Sequence, residues 1–230
     1  MTLSVIVIAD SIPAALKASG DVEYIAVQKW GEGFEHAQGK RIAVLSGHYH
    51  PSATWVDAAR ATTTEMSWGA VEPGTDWPYY LLEYADLLGN PDPRKAPGGN
   101  VVYHRSVLER YPMKGFAREV DYHAHLVAQG ISSAFLQTLA VQLVRAPEWK
   151  TYRQQRFNDS RQWAVDRELP LSALPLRLAL PPLILARIAK GVFTDGRYIM
   201  HWLQCLPRLI QGSVIQMLGE MSGILSRYRN

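Results

Sequence analysis

The chain opens with Leu3 to Ala9, LSVIVIA, a continuous run that is apolar and mostly β-branched apart from Ser4. Such a run predicts a strand buried on both faces, as in a parallel sheet. Asp10 and Ser11 then suit the cap of a short helix with Pro13 in its first turn, closed by Gly20-Asp21. Val22 to Val27 predicts a second strand, Glu32 to Gln38 a helix ended by Gly39, and Arg41 to Leu45 a third strand. Alternation of this kind predicts a parallel sheet with right-handed crossovers. Ligands of such sheets lie beyond the carboxyl ends of the strands. That rim would hold Ala9-Asp10, Gln28-Lys29 and Ser46 to His50.

Further along, Trp55 to Ala61 predicts a helix and Glu65 to Val71 a strand ended by Pro73-Gly74. Trp77 to Leu88 predicts a helix, and Gly89 to Gly99 a loop dense in Pro and Gly. A short strand at Val101 to Tyr103, a helix at Ser106 to Tyr111 and a helix at Glu119 to Gln129, closed by Gly130, follow. Past about residue 147 the strand pattern ceases, and helical segments separated by prolines run to the end. The expected organisation is an α/β domain over 1–147 with a helical region over 148–230.

At 47% hydrophobic and 20% charged residues, 230 residues suffice for one sizeable core. A net charge of +3 is too small to suggest nucleic acid as a partner. The charge is uneven, however. Arg177, Arg187, Lys190, Arg197, Arg208, Arg227 and Arg229 face only Asp195 and Glu220 after residue 176. A basic, apolar tail suits either a helical lid on the core or a helix lying on an anionic membrane surface. Leu178 to Val192, with Arg187 and Lys190 opposite its apolar residues, fits both. The single cysteine, Cys205, excludes an internal disulfide and fits a reducing compartment. Met1-Thr2-Leu3 enters the first strand without a basic leader, and no uncharged apolar run reaches spanning length. The expected location is cytoplasmic, with peripheral contact at the inner membrane face.

Two histidine pairs stand out. In an extended segment His48 and His50 would point to one side and together suit a borderline metal such as zinc. His123 and His125 fall on a helix, where residues two apart diverge. Lys29, at a strand terminus, suits a phosphate or is a solvated loop lysine.

Several landmarks in order resemble the inverting family-2 glycosyltransferases of GT-A type. Leu3 to Ala9 resembles the family's first strand, and Ala37-Gln38-Gly39 its lead-in to the third. Pro51 and Trp55 resemble the Pro and Trp that follow the acidic motif. Pro97 to Arg105, PGGNVVYHR, resembles the segment that shapes the acceptor site, which brings in Gly98, Gly99 and Asn100. Phe116-Ala117-Arg118-Glu119 resembles the segment carrying the catalytic carboxylate, and Gly219-Glu220-Met221-Ser222-Gly223 an element of membrane-associated members.

The resemblance implies a mostly parallel GT-A sheet flanked by helices, with a helical C-terminal extension. It also implies a sugar-nucleotide donor, a divalent cation (Mg or Mn) and a small-molecule or lipid acceptor. Glu119 would take the acceptor proton, with Asp121 as the alternative or its partner. Asn100 would bind substrate or fix its loop. Arg161, with Arg153 and Arg156 near Trp149 and Trp163, would contact diphosphate or line the acceptor entrance.

The donor side departs from the pattern. The acid that holds the nucleobase is replaced at Gln28-Lys29, and the metal-holding acids by Ser46-Gly47-His48. Hard carboxylate oxygens are what magnesium and manganese require. Only about 40 residues precede the third strand, so the half that builds the nucleotide pocket is short. Three functions therefore stand as expectations: an active transferase, an inactive relic serving as a binding partner for another protein, and an enzyme repurposed around His48 and His50.

Overall fold

The structure, a computed structural model, describes residues 2–228 apart from 11, 13–15, 17–20, 86, 87, 89–91, 115, 117 and 145. Strands β1 (Leu3–Ile8), β2 (Val22–Val27), β3 (Arg41–Ser46) and β4 (Tyr49–Pro51) lead into α1 (Trp55–Ala61). Strands β5 (Met66–Trp68) and β6 (Val71–Glu72) precede α2 (Trp77–Tyr84). Then come β7 (Asn100–His104), α3 (Arg105–Arg110), α4 (Glu119–Ala128), β8 (Ser133–Phe135) and β9 (Val141–Leu143). Helices α5 (Trp149–Asp166), α6 (Leu174–Leu178), α7 (Leu180–Asp195) and α8 (Ile199–Ser226) complete the chain. Two compact units result: Met1–Gly74 with Pro91–Arg145, and Thr75–Asn90 with Ala146–Asn230.

The first unit is a mixed α/β unit with a six-stranded sheet in the order β2-β1-β3-β7-β5-β8. β1 pairs in parallel with both β2 and β3, and β5 with β8, while β7 runs antiparallel to β3 and β5. The mainly apolar run of β1 is what this arrangement requires: Leu3, Val5, Ile6 and Val7 are all buried, and the one polar residue among them, Ser4, is hydrogen-bonded. On one side of the sheet Val44, Met66, Trp68, Val101 and Tyr103 pack with Val107, Tyr122 and Leu126 from α3 and α4.

A second sheet, β4-β9-β6, was not expected. Its strands are two or three residues long. The predicted strand over Glu65 to Val71 is in fact two strands in different sheets, β5 and β6.

The helix expected over Glu32 to Gln38 is a series of turns. Gly31 and Gly33 adopt φ +90° and +81°, left-handed values that a helix cannot include. Gly33 is also pinned, since a Cβ there would stand 2.9 Å from Val27 Cγ1. The helix expected around Asp10, Ser11 and Pro13 falls mostly outside the described residues.

The turns are held by a polar knot under the sheet. Ser4 Oγ accepts from Gln38 N (3.1 Å) and Gly39 N (2.7 Å) and donates to Glu23 Oε2 (2.5 Å). Arg105 Nε donates to Gly39 O at 3.0 Å, and a second guanidinium N–H donates to Ala37 O. Ala37-Gln38-Gly39 and Arg105 are thus two halves of one fastening between the β2–β3 connection and the start of α3.

The second unit is helical. Glycines let α8 approach its neighbours closely: a Cβ on Gly219 would stand 2.5 Å from Phe157 O of α5, and one on Gly212 2.5 Å from Leu82 Cδ1 of α2. Arg156 of α5 donates to Glu83 Oε1 (2.6 Å), Tyr152 Oη (2.6 Å), Gln216 Oε1 (2.7 Å) and Gly212 O (3.2 Å). Glu220 is buried and receives Arg177 Nη1 at 2.9 Å and Gln216 Nε2 at 3.1 Å. A buried carboxylate survives only with such partners. Gly219-Glu220-x-x-Gly223 is therefore a helix-packing element in this unit.

Candidate active site

The carboxyl ends of β1, β2 and β3 meet the amino end of β7 at one rim of the first unit. Gly47 N donates to Ile8 O (3.0 Å) and Ser46 N to Gly99 O (2.8 Å), which tie the three connections together. Asp10 and Gln28 meet there, Gln28 Nε2 donating to Asp10 Oδ1 at 3.1 Å. The backbone N–H groups of Gln28 and Lys29 both donate to Glu32 Oε2, at 3.2 and 3.1 Å, which closes the turn after β2. The Lys29 side chain is exposed.

Glu119 is the first residue of α4, and Asp121 shares its first turn, where the helix dipole favours negative charge. The two acids have different surroundings. Asp121 is held by Arg118, with Nε–Oδ2 and Nη2–Oδ1 both at 3.0 Å. The Glu119 carboxylate is half-buried and makes no hydrogen bond or ion pair among the described residues. It lies against Gly98, where a Cβ would stand 2.6 Å from Glu119 Cγ and 3.0 Å from Trp30 Nε1. Gly99 is equally constrained, by Ser46 Cβ at 2.6 Å. Both glycines are thus required by close approach.

Trp30 was not singled out by sequence. Its indole reaches from the turn after β2 to Gly98, packs edge-on against Tyr122 with centroids 6.1 Å apart, and leaves a buried N–H without a partner. Trp30 also walls a cavity of about 600 Å³, together with Phe34, Leu108, Met113 and Phe116. Glu35, Glu109, Arg105 and Lys114 give this cavity a polar side. A volume of this size suits a small-molecule ligand.

Behind the rim, Tyr103 Oη and His123 Nε2 share a 2.6 Å hydrogen bond in full burial. Burial lowers the His123 pKa from its ordinary 6.5 to about 4, a contact with the Ala96 backbone opposing it. Burial likewise raises Tyr103 well above its usual range, with the nearby Tyr122 and Glu119 adding to the effect. Both groups are neutral at physiological pH.

Asn100 is a frame residue. It is 1% exposed, accepts from Trp55 Nε1 at 3.0 Å, and donates to Leu139 O (2.9 Å) and Ala70 O (3.3 Å). Both of its N–H donors are thus committed to carbonyls of the frame. Pro51 and Trp55, buried, belong to the same frame.

His48 lies in the turn before β4 and His50 within it, both exposed, with buried Tyr49 between them. Among the described residues no group of three or more His, Cys, Asp or Glu side chains is placed to hold a metal ion. Arg161 stands exposed on α5 in the second unit.

A mannosyltransferase from Pyrobaculum calidifontis, PcManGT, solved with GDP-Man and Mn2+, matches over 98% of this chain and 87% of its own. The TM-score is 0.54 at 12% identity. The chain has a GT-A-like glycosyltransferase fold. TarS of S. aureus, residues 1–349, also matches over 100% of this chain and 92% of its own at 11% identity, but its TM-score of 0.38 adds nothing to that assignment. No protein-family model and no curated protein sequence matches the chain. Within the GT-A-like frame, Asp10, Gln28, Lys29, Ser46, Gly98, Gly99 and Glu119 belong to the loops and helix start around one rim.

Proposed function

We propose that this chain transfers a sugar from a nucleotide donor to an acceptor hydroxyl with inversion. The observation that carries this reading is the unpaired Glu119 carboxylate, fixed at a helix start against Gly98 in a GT-A-like fold. The acceptor oxygen attacks the anomeric carbon as its proton passes to Glu119. The bond from that carbon to the phosphate oxygen breaks, and the nucleoside diphosphate leaves with the electron pair. General-base assistance of this kind supplies about 10²–10⁴-fold in rate. Lys29, on the same rim, supplies positive charge for the departing phosphate. The cavity beside Trp30 and Phe116 takes the acceptor: aromatic faces stack on sugar or ring carbons, and Glu35 and Glu109 bind hydroxyls.

The relative's complex with Mn2+ makes a divalent cation the natural cofactor to consider. The donor set does not fit it in the usual way. Ser46 Oγ already accepts from His48 N at 3.3 Å, and Gly47 has no side chain to offer. Hard cations need several carboxylate or carbonyl oxygens together. No step above is routed through a metal.

A second reading, a glycosyltransferase-fold protein without transfer activity that binds a partner, is favoured by one feature. Asp10 and Gln28 satisfy each other by a hydrogen bond rather than standing free for a donor. Calorimetric titration with GDP-mannose and other nucleotide sugars, with and without Mn2+, separates the two. Saturable binding of one donor supports transfer. Absence of binding across the panel supports the second reading.

A further inference from the structure

Helix α8 has two apolar faces, and only one is used inside its unit. Leu209, Gly212, Ser213, Gly219, Glu220 and Gly223 are buried. Met200, Leu203, Ile210, Leu218 and Leu225 are 44% to 64% exposed. At about 100° per residue these five fall within an arc of about 80°, on a stripe about 38 Å long. Pro207, also exposed, lies in the same stripe, which carries no charged residue. Single exposed leucines are ordinary, but a continuous stripe along a 28-residue helix is a surface that must meet something.

Helix α7 also keeps one face buried, but its outer face is mixed. Ile184, Ile188 and Val192 are buried, while Leu183, Arg187, Lys190 and Phe193 share the opposite face. Phe193 packs on Trp202 at 5.7 Å, so the exposed end of α7 adjoins the start of the α8 stripe. Leu176 and Leu178 of α6 are also exposed.

We propose that the α6–α8 face lies on the surface of an anionic lipid bilayer, with the apolar stripe in the acyl–headgroup boundary and the cationic residues at the headgroups. Charge complementarity selects this occupant. From Leu171 to Tyr228 the acids are Asp195, paired with Arg197 at 2.7 Å, and buried Glu220, paired with Arg177. Negative charge is therefore neutralised, while Lys190 stands exposed beside Leu183 and Phe193, and Arg208, also exposed, lies over the Trp149 ring at 5.7 Å. Amphipathic helices with basic flanks bind in this way. The geometry is that of lying on a membrane. No single described helix is long and apolar enough to cross one; the pair Leu171–Leu178 and Leu180–Asp195 passes only together, bent by 51°. Both α7 and α8 also keep one face buried in protein.

The test is flotation of the purified full chain with vesicles of phosphatidylcholine alone or with about 30% phosphatidylglycerol. The wild type is expected to float with the anionic vesicles and to be released by high salt. The double variant Leu203→Glu/Ile210→Glu is expected to lose about tenfold or more of this binding with unchanged circular dichroism and Tm. Lys190→Glu, a milder change, should weaken it without touching the stripe. Failure to float with either vesicle overturns the proposal. So does a lipid-free dimer, seen by analytical ultracentrifugation, that the double variant dissociates while flotation is unchanged. No substrate enters the assay, so its outcome is independent of the transfer reading.

Discussion

Gly98 carries no side chain because Glu119 and Trp30 fill the space where one would go: a Cβ there would stand 2.6 Å from Glu119 Cγ and 3.0 Å from Trp30 Nε1. This contact couples the loop before β7 to the start of α4 and fixes the carboxylate on the rim.

Gly98→Ala is therefore expected to displace Glu119. A shift of about 1 Å at a catalytic group costs about 10²-fold in rate. Steady-state kinetics should show the fall mainly in kcat, with a smaller loss of Tm than core disruption gives.

Asn100 makes a different prediction. Truncation to alanine leaves Trp55 Nε1–H and the Leu139 carbonyl without a partner in the interior, while Ala70 O keeps its bond from Val141 N at 2.9 Å. The expected cost is about 2–4 kcal/mol in urea unfolding. A ligand-binding role would instead raise KM and leave stability unchanged.

His123 predicts a pH dependence. Its folded pKa lies near 4, below its ordinary 6.5, because burial disfavours the charged form. The unfolded chain thus takes up the proton first as pH falls. Stability from this group is fully present above pH 6.5 and is lost progressively down to about pH 4. The total is about 3 kcal/mol. In His123→Leu this contribution is absent, so the stability gap between wild type and variant should narrow across that window.

The glycines of α8 predict a contrast within one helix. Gly219→Leu forces α8 away from Phe157 O of α5 and should cost well over 2 kcal/mol. Leu218→Gln, one position earlier and 47% exposed, should change stability by less than about 0.5 kcal/mol. Thermal melts of the two purified variants compare them directly.

The parallel strands β1 and β3 were legible because strands buried on both faces leave mainly apolar runs, and Leu3 to Ile8, interrupted only by Ser4, and Ile42 to Leu45 are such runs. Strand β2, at the sheet edge and only partly buried, carries Glu23 and a weaker signal. The helical character after residue 147 was legible from the loss of that pattern. The sheet β4-β9-β6 was not, because strands of two or three residues carry no measurable period. The helix over Glu32 to Gln38 failed on two glycines whose left-handed φ values could not be anticipated from composition. At the site, the resemblance singled out Glu119, Gly98 and Gly99, and in the structure Glu119 lies against Gly98. Sequence order alone could not separate Asp121, locked by Arg118, from Glu119, which is free of such a partner. Trp30 was missed because its role depends on a turn that carries it across to Gly98; its place just before Gly31 was the only signal.

The most direct measurement is release of nucleoside diphosphate from a panel of nucleotide sugars by the wild type and by Glu119→Gln. The account predicts turnover with at least one donor in the presence of a hydroxylated acceptor, and a fall of about 10²–10⁴-fold in the variant at unchanged Tm. Wild-type turnover by Glu119→Gln, or no turnover by the wild type on any donor of the panel, would contradict it.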